Sequence, residues 1–64
     1  MKTAGRIFKK ARKDLGLTQV ELADKIGVHP NTIARIERGV QKPTFATAKK
    51  LAKALNLDMK DLPD

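Results

Sequence analysis

Asn31, Thr32 and Arg35 are the residues of this chain best equipped to read another molecule. An Asn amide sets a donor beside an acceptor and matches the N6/N7 edge of adenine. An Arg guanidinium offers a donor fork that fits O6 and N7 of guanine, and the Thr methyl can meet the methyl of thymine. On an α-helix, positions 31, 32 and 35 fall within one turn and point together. The same residues also suit plainer roles, Asn and Thr as first-turn residues and Arg as a solubilising charge. Gln19 opens another segment of helical pattern, where unpaired N–H groups and the helix dipole favour a phosphate, although an exposed Gln of good helix propensity would look the same. His29 can cap the helix that follows it, contact a phosphate when protonated, or simply be exposed. It has no second ligand at a suitable spacing, so no metal site is expected, and nothing in the chain calls for a cofactor or a small-molecule ligand.

These residues need elements to hold them. Leu22, Ala23 and Ile26 share one helical face, and Ile33 and Ile36 share another. Gly27 lies between them, where the first helix must stop and the chain must turn. Burying Ile33 and Ile36 fixes the rotation of the second helix, so that 31, 32 and 35 face outward. Ala23 is small at the point where the two helix backbones would approach. Thr18 and Glu21 have the spacing of a capping box, with Leu17 and Leu22 placed as a hydrophobic staple. Pro30 suits the first position of the second helix, because its missing N–H is not needed there.

Around this pair the pattern predicts three more elements. Thr3 can cap a helix over about 4–15 with an apolar stripe at Ile7, Phe8, Ala11 and Leu15, frayed before Arg6 by Gly5 and ended by Gly16. Thr44 can cap a helix over 44–55 with apolar Phe45, Ala48, Leu51, Ala52 and Leu55, stopped at Asn56. Asp58 can start a last turn over 58–62, ended by Pro63. With 18–26 and 30–38 this makes five helices, an all-α fold in one domain over residues 1–64, with short connections and no strand alternation.

Composition narrows the partner. Fourteen Lys and Arg against seven Asp and Glu leave a formal charge of +7, which favours a polyanion. Six basic residues (Lys2, Arg6, Lys9, Lys10, Arg12, Lys13) and no acid lie in 1–13. Six more (Arg35, Arg38, Lys42, Lys49, Lys50, Lys53) lie in 29–57, with Glu37 the only acid there. Asp14, Glu21 and Asp24 fall between these blocks, and Asp58, Asp61 and Asp64 at the end. A basic face and a neutral-to-acidic face follow; a solvated Lys-rich helical surface is the plainer reading. The absence of Cys removes disulfides and thiolate metal sites and is compatible with a reducing cytoplasm. No apolar run approaches the roughly 18 residues of a membrane span, and no signal peptide is seen. A basic, amphipathic segment over 1–15 could lie on a membrane, but its apolar face is needed for the core. No nucleophile–base arrangement or Gly-rich phosphate loop points to an enzyme. Binding of RNA or single strands leans on aromatic stacking, and the two aromatics, Phe8 and Phe45, stand at core-like positions.

Taken in order, a basic helix, LTQVELADKIGV, HPNTIARIERG, a loop with Pro43 and KKLAKALNLDMKDL resemble the Cro/C1-type, or XRE-type, helix-turn-helix family of phage repressors and bacterial regulators. The resemblance covers roughly residues 6–62. It implies a compact five-helix, lambda-repressor-like domain, usually a homodimer on a palindromic operator in double-stranded DNA, that controls transcription. By that resemblance Asn31, Thr32 and Arg35 match base readers. Pro30 matches another reader position but brings no side-chain donor or acceptor. Gln19 matches a backbone contact, and Arg38, Gln41, Lys42 and the Thr44 end of the fourth helix suit flanking phosphates. Lys9 and Lys13 are candidates for phosphate proximity; Lys49, Lys50 and Lys53 fit a solvated face. Arg12 and Glu37 match positions that often form an ion pair between the first and third helices. Dimers of the family usually pair through the last two helices, which makes Leu57, Met59 and Leu62 candidate contacts, unless they close the monomer's own core. Some members of the fold are antitoxins that bind a toxin partner, or bridging coactivators, so an antitoxin or other protein-interaction module is the alternative function.

Overall fold

The computed structural model describes residues 4–62. Four α-helices follow one another: α1 (Ala4–Asp14), α2 (Gln19–Ile26), α3 (Pro30–Arg38) and α4 (Phe45–Ala54). A single 3-10 turn (Met59–Asp61) closes the described chain. No strand is present among the described residues. The proposed cap at Thr3, the basic Lys2, the stop at Pro63 and the acid at Asp64 lie outside them.

The helix boundaries follow local chemistry. The Thr18 hydroxyl accepts from the Glu21 N–H at 3.0 Å, and the Thr18 N–H donates to the Glu21 carboxylate at 2.8 Å. That reciprocal pair starts α2. Gly27 ends it with φ 74°, a left-handed conformation that β-carbon sterics make costly for other residues. The turn then needs only Val28 and His29 before α3 begins. Asn56 takes the same left-handed conformation after α4, at φ 59°, and the Leu57 N–H closes back on the Ala52 carbonyl at 2.8 Å.

α2 packs on α3 and α4, and α1 packs on α3. Phe8, Leu22, Ala23, Ile26, Ile33, Ile36, Leu51 and Leu55 form the buried centre. Ala4, Ala11, Leu17, Val28, Ala54, Leu57 and Leu62 pack around it.

Four expectations are corrected. The fifth helix is one 3-10 turn: two i→i+3 bonds, Asp61 N–H to Asp58 and Leu62 N–H to Met59, complete it, and the next residue, Pro63, has no N–H with which to continue. Gly5 does not fray α1. It is buried within the helix, because a β-carbon there would collide with the carbonyl oxygen of Ile36 in α3; helix propensity is overruled by a close backbone approach. Leu15 is 52% exposed. It lies past the end of α1, and after the reversal at Gly16 it is Leu17 that returns to cover the core. Phe45 is 74% exposed. Burial rises along α4 from Phe45 through half-buried Ala48 to buried Leu51, Ala52 and Leu55, so the first turn of α4 overhangs the core.

Candidate nucleic-acid interface

α3 is gripped from one side only. Ile33 and Ile36 are 1% and 2% exposed and lock its rotation against α1 and α2. Asn31 and Arg35 are exposed on the opposite face, with half-buried Thr32 beside them. Pro30 is half-buried at the first helical position. The three side chains with base-reading chemistry therefore stand together on one outward surface. Arg38, Gln41, Lys42 and Thr44 are exposed along the continuation from α3 into α4. Among the described residues Arg35, Arg38 and Lys42 make no ion pair, so their charge is available to an outside anion. Lys9 and Lys13 are exposed on α1, and Lys49, Lys50 and Lys53 on α4.

His29 is the N-cap of α3. Its Nδ1 accepts from the Asn31 N–H at 3.0 Å. This caps the first turn despite a residue type that ranks below Ser or Thr for the task. The Thr44 hydroxyl caps α4 by accepting from the Thr47 N–H at 3.2 Å.

Behind this surface Arg12 of α1 meets Glu37 of α3. Arg12 Nε donates to Glu37 Oε2 at 2.7 Å and Nη2 donates to Oε1 at 3.0 Å, a two-bond fork. The third guanidinium nitrogen, Nη1, donates to the Leu17 carbonyl at 2.7 Å. The two side chains are only 9% and 2% exposed. Hydrogen bonding to Glu37 raises the Arg12 guanidinium above its ordinary value; burial opposes this and the carboxylate's charge adds to it. No buried side-chain nitrogen or oxygen among the described residues lacks a partner.

One contact escaped the sequence. Gln19 Nε2 donates to Glu37 Oε1 at 3.1 Å. The two residues are eighteen positions apart, and only the tight turn at Gly27 brings the start of α2 back to the end of α3. A polar residue opening α2 opposite an acid near the end of α3 was the sole available hint.

Among the described residues no group of His, Cys, Asp or Glu could hold a metal ion, and no helix is long and apolar enough to cross a membrane.

Comparison with known proteins gives consistent results. The pattern of the helix-turn-helix family matches residues 8–62. A helix-turn-helix-type transcriptional regulator of Archaeoglobus fulgidus is 40% identical over 62 residues, covering 97% of this chain and 84% of that protein. One from Methanothermobacter thermautotrophicus is 43% identical over 49 residues, covering 77% of this chain and 71% of the relative. The immunity repressor of Bacillus phage phi105 is 37% identical over 57 residues, covering 89% of this chain and 40% of the repressor. Among solved structures, SinR, the master regulator for biofilm formation, in complex with DNA, superposes with a TM-score of 0.87 at 32% identity, covering 97% of this chain and all of that one. The phage P22 c2 repressor in complex with a synthetic operator superposes with a TM-score of 0.86 at 28% identity, covering 91% of this chain and 88% of that one.

Proposed function

The chain belongs to the helix-turn-helix family of transcriptional regulators, and from that premise we propose that it reads double-stranded DNA in the major groove through α3, as a repressor. One observation carries this. The face of α3 opposite Ile33 and Ile36 presents Asn31, Thr32 and Arg35 to solvent together. In a helix-turn-helix the second helix lies in the major groove with its N-terminal residues on base edges, and α3 has that place in the motif. Arg35 pairs with a guanine, Asn31 with an adenine and Thr32 with a thymine methyl. Pro30 contributes rigidity and apolar contact only. Gln19, His29, Arg38, Gln41, Lys42 and Thr44 set the register through phosphates and carry no sequence information.

The repressor reading is supported by the phi105 and P22 relatives, both named as repressors. The protein acts in the cytoplasm as a homodimer, with two α3 helices about 34 Å apart on one face of a palindromic site. Leu57 and Leu62 pack against the monomer's own core, which leaves Met59, half-buried, as the freer candidate for the subunit contact.

Substitution on a selected duplex tests the reading. Arg35→Ala weakens binding by about 1–3 kcal/mol and relaxes the preference at one base pair, whereas Lys42→Ala weakens all sequences alike and lowers the salt slope. Unchanged affinity and preference in Arg35→Ala would contradict the docking.

A further inference from the structure

We propose that Glu37 is a positioning residue of the DNA interface: it holds the Gln19 amide in one orientation for a phosphate of the DNA backbone. This rests on the DNA-binding reading above. Glu37 cannot touch DNA itself, since its side chain is 2% exposed; it acts through Gln19, which is half-buried at the start of α2. An ionised carboxylate only accepts hydrogen bonds. The Gln19 atom facing Glu37 at 3.1 Å is therefore the amide nitrogen, and the amide is held against the flip that an unpartnered Gln undergoes freely. One N–H is spent on Glu37 and the other remains a donor. The side chain is ordered when the protein folds, so less freedom is lost when DNA arrives.

Arg12 makes this arrangement compatible with a polyanion. A bare carboxylate behind a phosphate contact would repel it. Here both Glu37 oxygens accept from Arg12, at 2.7 and 3.0 Å, so the network carries no net charge. The remaining Arg12 bond, to the Leu17 carbonyl at 2.7 Å, ties the same network to the residue just before the Thr18 cap. One side-chain cluster thus tethers the residue before the Thr18 cap and turns the first side chain of α2.

The experiment is a double-mutant cycle in DNA affinity on one selected duplex. One arm is Gln19→Ala. The other replaces the charged pair together, Arg12→Met with Glu37→Met, because exchanging a whole buried pair for apolar residues of similar volume is often neutral for stability. Gln19→Ala is expected to weaken binding about tenfold, the loss of one hydrogen bond to a charged group. The apolar pair weakens binding about as much when Gln19 is present and not at all when Gln19 is Ala. Equal losses in both backgrounds would show that the pair supports the fold and not Gln19, and would overturn the proposal. An inert Gln19→Ala, alongside a weakened Arg35→Ala, would overturn it and leave the DNA reading standing. Failure of the unmodified protein to bind any duplex would remove that reading and this one with it. Should the apolar pair not fold, NMR relaxation of the Gln19 side-chain amide in the DNA-free protein decides. A rigid amide supports the proposal and a freely rotating one overturns it.

Discussion

Between α1 and α3 the molecule buries a charged pair with directional bonds; between α4 and α2 it buries hydrocarbon. Arg12, Glu37, Gln19 and the Leu17 carbonyl are joined by four hydrogen bonds of 2.7–3.1 Å. On the other side Leu51, Ala52 and Leu55 are buried against the core, and among the described residues no side-chain hydrogen bond joins α4 or the 3-10 turn to α1, α2 or α3. Hydrophobic burial is non-directional and roughly proportional to area, so it holds α4 in place without dictating orientation to fractions of an ångström. Hydrogen bonds weaken steeply with misalignment. Precision is therefore concentrated at the start of α2, where Gln19 and the Leu17 carbonyl are bonded to the buried pair, while the outward face of α3 is set by the burial of Ile33 and Ile36.

Glu37→Ala strands the buried Arg12 charge and is expected to lower stability by about 3–5 kcal/mol, read from urea or thermal unfolding. A loss below about 1 kcal/mol would mean that Arg12 finds solvent and that the junction is not rigid. The next effect tests the same junction by shape alone. Gly5→Ala should improve helix propensity by about 1 kcal/mol, yet the new β-carbon meets the Ile36 carbonyl. A net destabilisation of about 1–3 kcal/mol is expected, as for overpacking elsewhere, and stabilisation would refute the close approach. On the apolar side, Leu51→Met conserves volume and should cost less than about 1.5 kcal/mol; a larger loss would show that α4 is held as specifically as α3.

The smallest effect is a matter of pH. The Thr18 N–H bond to the Glu21 carboxylate, helped by the Thr18 side chain, holds Glu21 below the usual carboxylate range. A carboxylate lowered by folding stabilises the native state above its ordinary pKa, and that contribution fades as pH falls through the lowered value. Glu21→Gln keeps a capping-box acceptor and removes the titration. Its stability should fall less on acidification than that of the unsubstituted protein. Identical acid limbs in parallel melts would count against the Thr18–Glu21 bond.

The residues differ in how far the sequence revealed them. Thr18, Glu21 and Gly27 declare the helix boundaries because caps and left-handed turns are local chemistry. Ile33 and Ile36 were enough to orient α3, since a helix buried on one face exposes the other, and the exposure of Asn31 and Arg35 follows from that rotation. Leu15 and Phe45 misled because periodicity names a face and says nothing of where along the helix the core ends. Gly5 misled for a related reason: propensity sees one helix, whereas the constraint comes from the backbone of another. The Gln19–Glu37 bond was invisible because it exists only after the turn has folded. The final segment has the cap of a helix in Asp58, whose carboxylate accepts from the Lys60 N–H at 3.0 Å, but not the length of one.

The most direct test is selection of bound duplexes from a random library at roughly 0.15 M salt, where long-range surface electrostatics is already screened. Enrichment of one sequence is expected, in two half-sites about 10 bp apart, with loss of one base preference when Arg35 is Ala. A folded protein that enriches no sequence would contradict base reading by α3.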